Sequence, residues 1–123
     1  EADLTGALLT AADMSGVNLD GAVLLSADLR KANLRGAGLR KARLDGADLR
    51  DARLGGAFCI GASLRGADLR GAYLRVAVFD GADLAGADLR GTQGLIQAQV
   101  DTARYDTETR LPNPEGQGTQ RGE

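Results

Sequence analysis

Residues 62–91 read ASLRG-ADLRG-AYLRV-AVFDG-ADLAG-ADLRG, six five-residue units in which a small apolar residue comes first and a large apolar residue comes third. The same Ala-x-Leu-x-x pattern extends back to Ala2 and gives eighteen consecutive units. Met14, Cys59 and Phe79 replace the central leucine, and Val17 replaces one alanine. The apolar steps alternate between two and three residues, which matches neither the period of a helix nor that of a flat strand.

The alternating steps predict a chain of short straight sides and corners. A step of two keeps both side chains on one side of an extended backbone, whereas a step of three contains one residue too many for a strand. Ala and Leu should therefore point inward, and the chain should turn between units. Glycine is the commonest residue at the fifth position, which suits a corner with positive φ.

The tetrapeptide Ala-Asp-Leu-Arg predicts how many sides make one coil, because it recurs at 27–30, 47–50, 67–70 and 87–90. The twenty-residue spacing corresponds to four units, so a four-sided coil is the simplest interpretation. Residues twenty apart would then stack about 4.8 Å apart. Eighteen units make about four and a half coils and a rod roughly 22 Å long.

The repeat over residues 2–91 resembles the pentapeptide-repeat family, whose consensus is Ala-(Asp/Asn)-Leu-x-x. The resemblance implies an all-β solenoid, a right-handed quadrilateral β-helix. After Gly94 the period breaks, and Leu95, Ile96, Val100 and Ala103 have nearly helical spacing. We therefore expect three parts, which are a β-helix over 1–91, a cap of a short helix and an extended segment over 92–112, and a disordered tail over 113–123.

Composition excludes several classes of function. Histidine is absent and Cys59 is the one cysteine, so the chain lacks the usual general base and any internal disulfide. Cys59 should be a buried core residue directly below the bulky Phe79. A narrow interior filled by leucine offers no cleft, and we expect no enzyme activity, cofactor or metal site.

The location of the protein is predicted from similarly simple features. No apolar run is long enough to span a membrane, and no signal peptide is visible. A lone thiol fits a reducing compartment, so a cytoplasmic location is expected. Because the sequence starts at Glu1 inside the repeat, a missing N-terminal segment that contains a membrane anchor remains an alternative.

The outward charges are sorted into columns. Residues 1–91 hold twelve acidic and twelve basic residues, so the rod is neutral. By register, one column is acidic and its neighbour is basic: Asp28, Asp48, Asp68, Asp88; Arg30, Arg50, Arg70, Arg90. Pairing between the columns predicts a solvated, self-neutralising face. A belt of basic residues rings one coil, but one belt on a neutral rod does not predict direct nucleic-acid binding: Arg30, Lys31, Arg35, Arg40, Lys41, Arg43.

Two sets of outward apolar residues are candidate contact sites. The first converges around one edge of the rod: Phe58, Ile60, Tyr73, Val76, Val78. Contiguous apolar patches usually mark contacts, although the C-terminal segment could cover this one through Leu111 or Tyr105. The second set lies on the first two coils, where it could dock a missing cap or a second copy of the chain: Leu8, Val23, Leu25.

The sequence predicts a non-enzymatic protein-interaction or scaffold module, with an unidentified protein partner and a possible homodimer through one end of the rod. The alternative is a regulator that mimics DNA and binds DNA gyrase or topoisomerase IV, as the family resemblance implies for quinolone-resistance proteins. That mechanism requires an extended acidic surface, from which the neutral rod and its arginine column depart.

Overall fold

The computed structural model describes residues 2–112 and has the predicted architecture, a right-handed quadrilateral β-helix. The predicted tail at 113–123 lies outside the described residues. Parallel single-residue β-bridges join positions twenty apart, beginning with Asp3 to Val23 and Leu8 to Asp28. Each coil therefore has twenty residues, as the tetrapeptide spacing predicted.

The bridges define four faces, which we number in chain order by the second residue of each unit. Face 1 carries Asp3, Val23, Arg43, Ser63 and Asp83. Face 2 carries Leu8, Asp28, Asp48, Asp68 and Asp88. Face 3 carries Asp13, Asn33, Arg53, Tyr73 and Gln93. Face 4 carries Asn18, Gly38, Phe58 and Val78. Hydrogen bonds run along the axis on every face, for example from Leu24 N to Arg43 O at 2.7 Å.

Every corner is a tight turn with positive φ at the fifth position of the unit. A typical turn closes with the hydrogen bond from Ala22 N to Leu19 O at 3.0 Å, and Gly21 within it has a φ of 72°. Type II turns need this conformation and favour glycine there. Six units adopt it without glycine: Ala11, Ser26, Lys31, Lys41, Asp51, Val76. The repeated fold therefore imposes a positive φ even on residues that disfavour this conformation.

The consensus Asp or Asn at the second position stabilises the next corner. Its side-chain oxygen accepts a hydrogen bond from the backbone N–H two residues on, as Asp68 Oδ1 does from Arg70 N at 3.2 Å. This is the Asx-turn, and nine units make it. The acidic residue of the repeat therefore has a local structural role.

The core is a single column of inward Leu and Ala side chains. From Ala22 to Leu89 every first- and third-position residue is buried, which includes Cys59 and Phe79 at 1% exposure each. Cys59 and Phe79 lie on consecutive coils of face 4, as the register predicted. Such a filled interior leaves the outward residues to make every contact with other molecules.

The C-terminal end is closed by the helix α1, Gln97–Asp101, and the extended residues that follow. Sequence spacing predicted a short helix in this segment. Beyond the helix Arg104 returns to the β-helix and bridges to Asp83, as Arg110 does to Asp88. Of the apolar residues with nearly helical spacing, Leu95 and Val100 are buried, whereas Ile96 is 57% exposed.

The N-terminal end is open in the part of the chain that the structure describes. The inward residues Leu4, Leu9 and Met14 are only half-buried. Of the predicted docking residues at this end, Leu8 is 84% exposed, whereas Val23 and Leu25 are half-buried. These docking residues remain a prediction.

Candidate functional site

The apolar surface, comprising Phe58, Ile60, Tyr73, Val76 and Val78, spans face 4, the two corners beside it and part of face 3. Phe58 and Val78 stack on consecutive coils of face 4, while Tyr73 lies on face 3. Tyr73 and Val76 are 45% and 69% exposed, Phe58 and Ile60 are somewhat less so, and Val78 is half-buried. The structure therefore brings exposed aromatic and β-branched side chains to one region of the rod.

Three residues of the apolar surface occupy the second position of their repeat unit, where Asp or Asn would form the Asx-turn, and they cannot form it. Phe58 and Val78 have no side-chain oxygen, and the Tyr73 hydroxyl lies at the far end of its ring, so none of them forms the hydrogen bond to the N–H two residues on. Within residues 2–112 those N–H groups have no protein acceptor: Ile60, Arg75, Asp80. A hydrogen bond of this kind contributes about 0.5–1.5 kcal/mol. Turn stability therefore does not account for the apolar residues at these positions.

Phe58 is held from below by a charged pair. The Arg40 guanidinium lies 4.9 Å from the centre of the Phe58 ring, a cation–π contact. Asp20 lies 3.6 Å from the same guanidinium and accepts a hydrogen bond from Arg40 N at 2.9 Å. Gly38 makes this arrangement possible, because a Cβ there would come within 2.8 Å of Asp20 Oδ1. The aromatic ring is therefore fixed in place while its outer side stays exposed.

The C-terminal segment does not cover the apolar surface within the described residues. The cap first passes above the end of this region, where Gln99 bonds to Leu74 O and Ala77 O. Arg104 then pairs on face 1 and Arg110 on face 2, so residues 104–110, which include Tyr105, run along the other half of the rod. Leu111 and Tyr105 are 36% and 48% exposed. The alternative in which either residue covers the surface is therefore wrong.

The charged columns form a continuous ladder of ion pairs between face 2 and its following corner. Arg30 Nη2 lies 2.7 Å from Asp28 Oδ2, and Arg30 Nε lies 3.8 Å from Asp48 Oδ2 on the next coil. The same two distances recur, within 0.1 Å, up to Asp88. The arginine hydrogen bond lowers the pKa of each aspartate, here Asp48, Asp68 and Asp88. The ladder neutralises its own charge.

The predicted basic belt is partly neutralised as well. Arg30 pairs with Asp28, and Arg40 pairs with Asp20. The remaining basic residues of the belt make no ion pair with residues 2–112: Lys31, Arg35, Lys41, Arg43. One of these, Arg35, lines a notch that sequence reasoning missed and that is described below. The signal for it was Gly55 at a fourth position, between arginines twenty residues away on either side.

Other chemistry is sparse in the described part of the chain. Burial raises the pKa of the Cys59 thiol to about 12, so the thiolate that reacts with electrophiles is absent at neutral pH. Residues 2–112 contain no group of three or more Cys, Asp or Glu side chains suited to a metal ion. Nor does any helix of this part have the length and hydrophobicity needed to cross a bilayer.

Comparison with known proteins identifies the class of repeat. Residues 2–40, 42–75 and 59–92 match the model for pentapeptide repeats, in eight copies. The chain belongs to the pentapeptide-repeat family and is a repeat scaffold. No curated protein sequence matches it significantly.

Two cyanobacterial structures are similar to it. HetL, a pentapeptide repeat protein involved in heterocyst differentiation regulation in Nostoc sp. strain PCC 7120, is 39% identical with a TM-score of 0.74. The match covers 84% of this chain and 46% of HetL, so the chain spans less than half the length of HetL. A second pentapeptide repeat protein from Nostoc PCC 7120 is 34% identical with a TM-score of 0.66, over 89% of this chain and 84% of its own.

A trypsin-treated variant of QnrB1, a plasmid-mediated fluoroquinolone resistance protein, is a more distant structural match. It is 20% identical with a TM-score of 0.50, and the match covers 85% of this chain and 67% of the variant. At this identity the similarity shows a shared fold.

Proposed function

We propose that the chain is a non-enzymatic interaction or scaffold module that binds a protein partner through the apolar surface. The observation that supports this proposal is the exposure of Phe58, Tyr73 and Val76, which no segment of residues 2–112 covers. The partner gains an anchoring site on a rigid rod, because the backbone beneath these side chains is hydrogen-bonded on consecutive coils.

The chemistry of the surface favours a protein as the partner. Aromatic residues are enriched at the energetically dominant positions of protein interfaces, and contiguous exposed apolar patches usually mark contacts. The Arg40 guanidinium packs on one side of the Phe58 ring and favours the orientation that a partner would meet.

The Asx-turn provides a sharp test. Replacing Phe58, Tyr73 and Val78 together by Asn removes the apolar groups and supplies the missing turn oxygens. We expect the triple variant to fold with equal or higher thermal stability and to lose its partner. The measurement is affinity capture from bacterial lysate with partners read by mass spectrometry, followed by direct binding of the purified partner.

The matched control changes second positions on another face, Arg43→Asn with Ser63→Asn, and should retain the partner. Capture of the same protein by the triple variant would refute the proposal. Unfolding of the triple variant would also refute it, because the three residues would then be structural. If gyrase or topoisomerase IV were the captured protein, the DNA-mimic alternative would be favoured instead.

No feature of the described residues favours that alternative at present. DNA mimicry needs an acidic surface, and here the face 2 aspartates are paired with arginine. Addition of the protein to a gyrase supercoiling reaction tests the alternative directly. A cytoplasmic location also belongs to the proposal, since the lone thiol fits a reducing compartment.

A second contact is proposed at the N-terminal end, with another copy of the chain as the partner. Leu4, Leu9 and Met14 are half-buried there. Within residues 2–112 the N–H groups of Leu8 and Asp13 have no acceptor, so they form an open β-edge. Sedimentation equilibrium should show a dimer that Leu8→Lys weakens. A monomer at all concentrations would contradict this contact.

A further inference from the structure

A notch cuts the corner between faces 3 and 4. The fourth positions of successive coils stack here as Ser15, Arg35, Gly55 and Arg75, and glycine interrupts the column of long side chains. The resulting cavity has a volume of about 500 Å³. It is lined by Arg35, Arg53, Gly55, Tyr73, Arg75 and Val76.

The glycine opens the notch without serving the backbone. Gly55 is absent from the residues with positive φ, so the turn does not require it. A Cβ at Gly55 would lie 3.7 Å from Arg75 O and 4.0 Å from Arg35 Cγ, which are ordinary contacts. A larger residue could therefore occupy the position, and the glycine there leaves open space that the side chains of Arg35 and Arg75 line.

The three arginines of the notch are uncompensated. Arg35, Arg53 and Arg75 make no ion pair with residues 2–112, whereas each arginine of the face 2 ladder has an aspartate at 2.7 Å. One guanidinium satisfies a carboxylate in a bidentate pair. Three arginine side chains that line one cavity match the higher charge and three terminal oxygens of a phosphate monoester better.

The remaining wall of the notch is aromatic and apolar. The Tyr73 ring is nearly half exposed beside the arginines and offers a face on which a planar group can stack. Val76 at the rim is 69% exposed and has the positive φ, 53°, that the fold imposes on every corner. Gly94 lies directly above, where a Cβ would come within 3.0 Å of the Arg75 backbone, so the cap holds this wall in place.

We propose that the notch binds a small phosphate monoester carried on a planar ring, a ligand of mononucleotide size. Ligand pockets typically enclose about 300–1,000 Å³, so the cavity fits such a molecule rather than a polymer. The arginines bind the phosphate, and Tyr73 stacks on the ring. The site shares Tyr73 and Val76 with the apolar surface, but binding of this ligand does not require a protein partner.

The test is isothermal titration calorimetry of the purified chain with AMP as the probe. We expect saturable one-to-one binding that is at least about tenfold weaker for adenosine and for inorganic phosphate, because each lacks one of the two recognised groups. Gly55→Leu fills the notch without removing a charge and should abolish binding. Its control is Ser15→Leu, in the same column outside the notch, which should bind normally.

The charge requirement is tested by a second pair of variants. Arg53→Gln should weaken AMP binding by about tenfold or more, whereas Arg90→Gln, in the ladder, should leave it unchanged. Several results would overturn the proposal: no saturable binding, equal binding by adenosine, retention by Gly55→Leu, or equal loss in both arginine variants. Binding of single-stranded DNA that ignores Gly55→Leu, without AMP binding, would also overturn it. Since no partner protein is present, each of these results leaves the proposed partner contact untouched.

Discussion

The two ends of the rod are built from the same helical stack and yet differ in how they finish it. At the C-terminal end, Leu95 and Val100 are 5% and 3% exposed and cover the last coil. At the N-terminal end, Leu4, Leu9 and Met14 occupy core positions but remain half-exposed. A repeat unit buries its inward side chains fully only when another coil lies on each side of it. The same residue therefore contributes less to stability at an open end than in the middle of the rod.

At the closed C-terminal end, where no further coil follows, side chains of the cap form hydrogen bonds with the backbone of the last coil. The Gln99 amide donates to Leu74 O at 2.8 Å and Ala77 O at 2.9 Å, and its oxygen accepts a hydrogen bond from Ile96 N. Thr109 Oγ1 donates to Leu84 O in the same way. The Gln99 side chain therefore satisfies Ala77 O, a type of carbonyl that accepts from the next coil elsewhere in the rod, as Ala57 O does from Val78 N. Leu74 O and Leu84 O already accept the turn hydrogen bonds of Ala77 N and Ala87 N and gain a second donor. Among the described residues, side chains close only this end of the rod by donating hydrogen bonds to backbone carbonyls.

The largest expected effect compares one leucine at each end. Leu84→Ala, at a fully buried position, should lower the free energy of unfolding by about 2–5 kcal/mol. Leu4→Ala should cost less, roughly 1 kcal/mol, because its side chain is only partly buried. Urea denaturation measures both. Equal losses would contradict the open-end description.

The next effect isolates the polar cap. Gln99→Ala removes three hydrogen bonds and should destabilise the fold by about 1–3 kcal/mol. Gln97→Ala is the matched control, since Gln97 is exposed and its side chain bonds only to Asp101 among the described residues. Thermal unfolding followed by circular dichroism compares the two. A control as unstable as the test variant would mean that the hydrogen bonds of Gln99 do not account for the loss of stability, since alanine itself favours the helix.

A smaller effect concerns the corners near each end. Val76→Gly relieves a positive φ of 53° and should raise stability by about 0.5–1 kcal/mol. Ala11→Gly relieves a φ of 61° beside the open end. Its gain should be smaller, because an end that frays contributes less to the measured unfolding. Differential scanning calorimetry of both variants compares the two gains in stability. A larger gain for Ala11→Gly than for Val76→Gly would contradict the prediction.

The smallest effect is the response to acid. A hydrogen bond from Gly86 N lowers the pKa of Asp106 in the cap, and the Thr5 hydroxyl lowers that of Asp3 at the open end. A lowered folded pKa stabilises the protein above the unfolded carboxyl pKa of about 4, and this contribution disappears as the pH falls through the folded value.

Asp106→Asn should therefore reduce the loss of stability on acidification more than Asp3→Asn does. Asp106 joins the cap to the last coil, while Asp3 bonds only within its own turn. Urea midpoints at neutral and acidic pH provide the measurement. The opposite order would show that the N-terminal turn, rather than the cap, limits acid stability.

Much of this structure could be predicted from the order of Ala and Leu, because the core has one dimension and each inward residue has a fixed register. Cys59 and Phe79 follow from that rule. The exact bounds of the helix could not be predicted, since the residues beyond it return to the β-helix, where Arg104 bridges to Asp83. The exposure of Ile96 could not be predicted from its spacing either.

The candidate surface was predictable only as a set of outward positions. Its members Phe58 and Tyr73 follow from register, but their exposure depends on where the C-terminal segment runs. Arg40 over Phe58 was not predicted, because it depends on Asp20 reaching across Gly38. The notch at Gly55 was not predicted either, because its cavity is lined by residues of three coils that are distant in sequence.

The twenty-residue register has a consequence for the evolution of the rod. Because all bridges from Asp3 to Gln93 connect positions twenty apart, an in-frame duplication of one coil leaves every inward side chain inward and every corner a corner. A duplication of one unit would instead rotate everything beyond it by one face. The rod can therefore gain or lose whole coils without any change in its packing. Gain or loss of a single unit would instead move the outward residues beyond it to a different face.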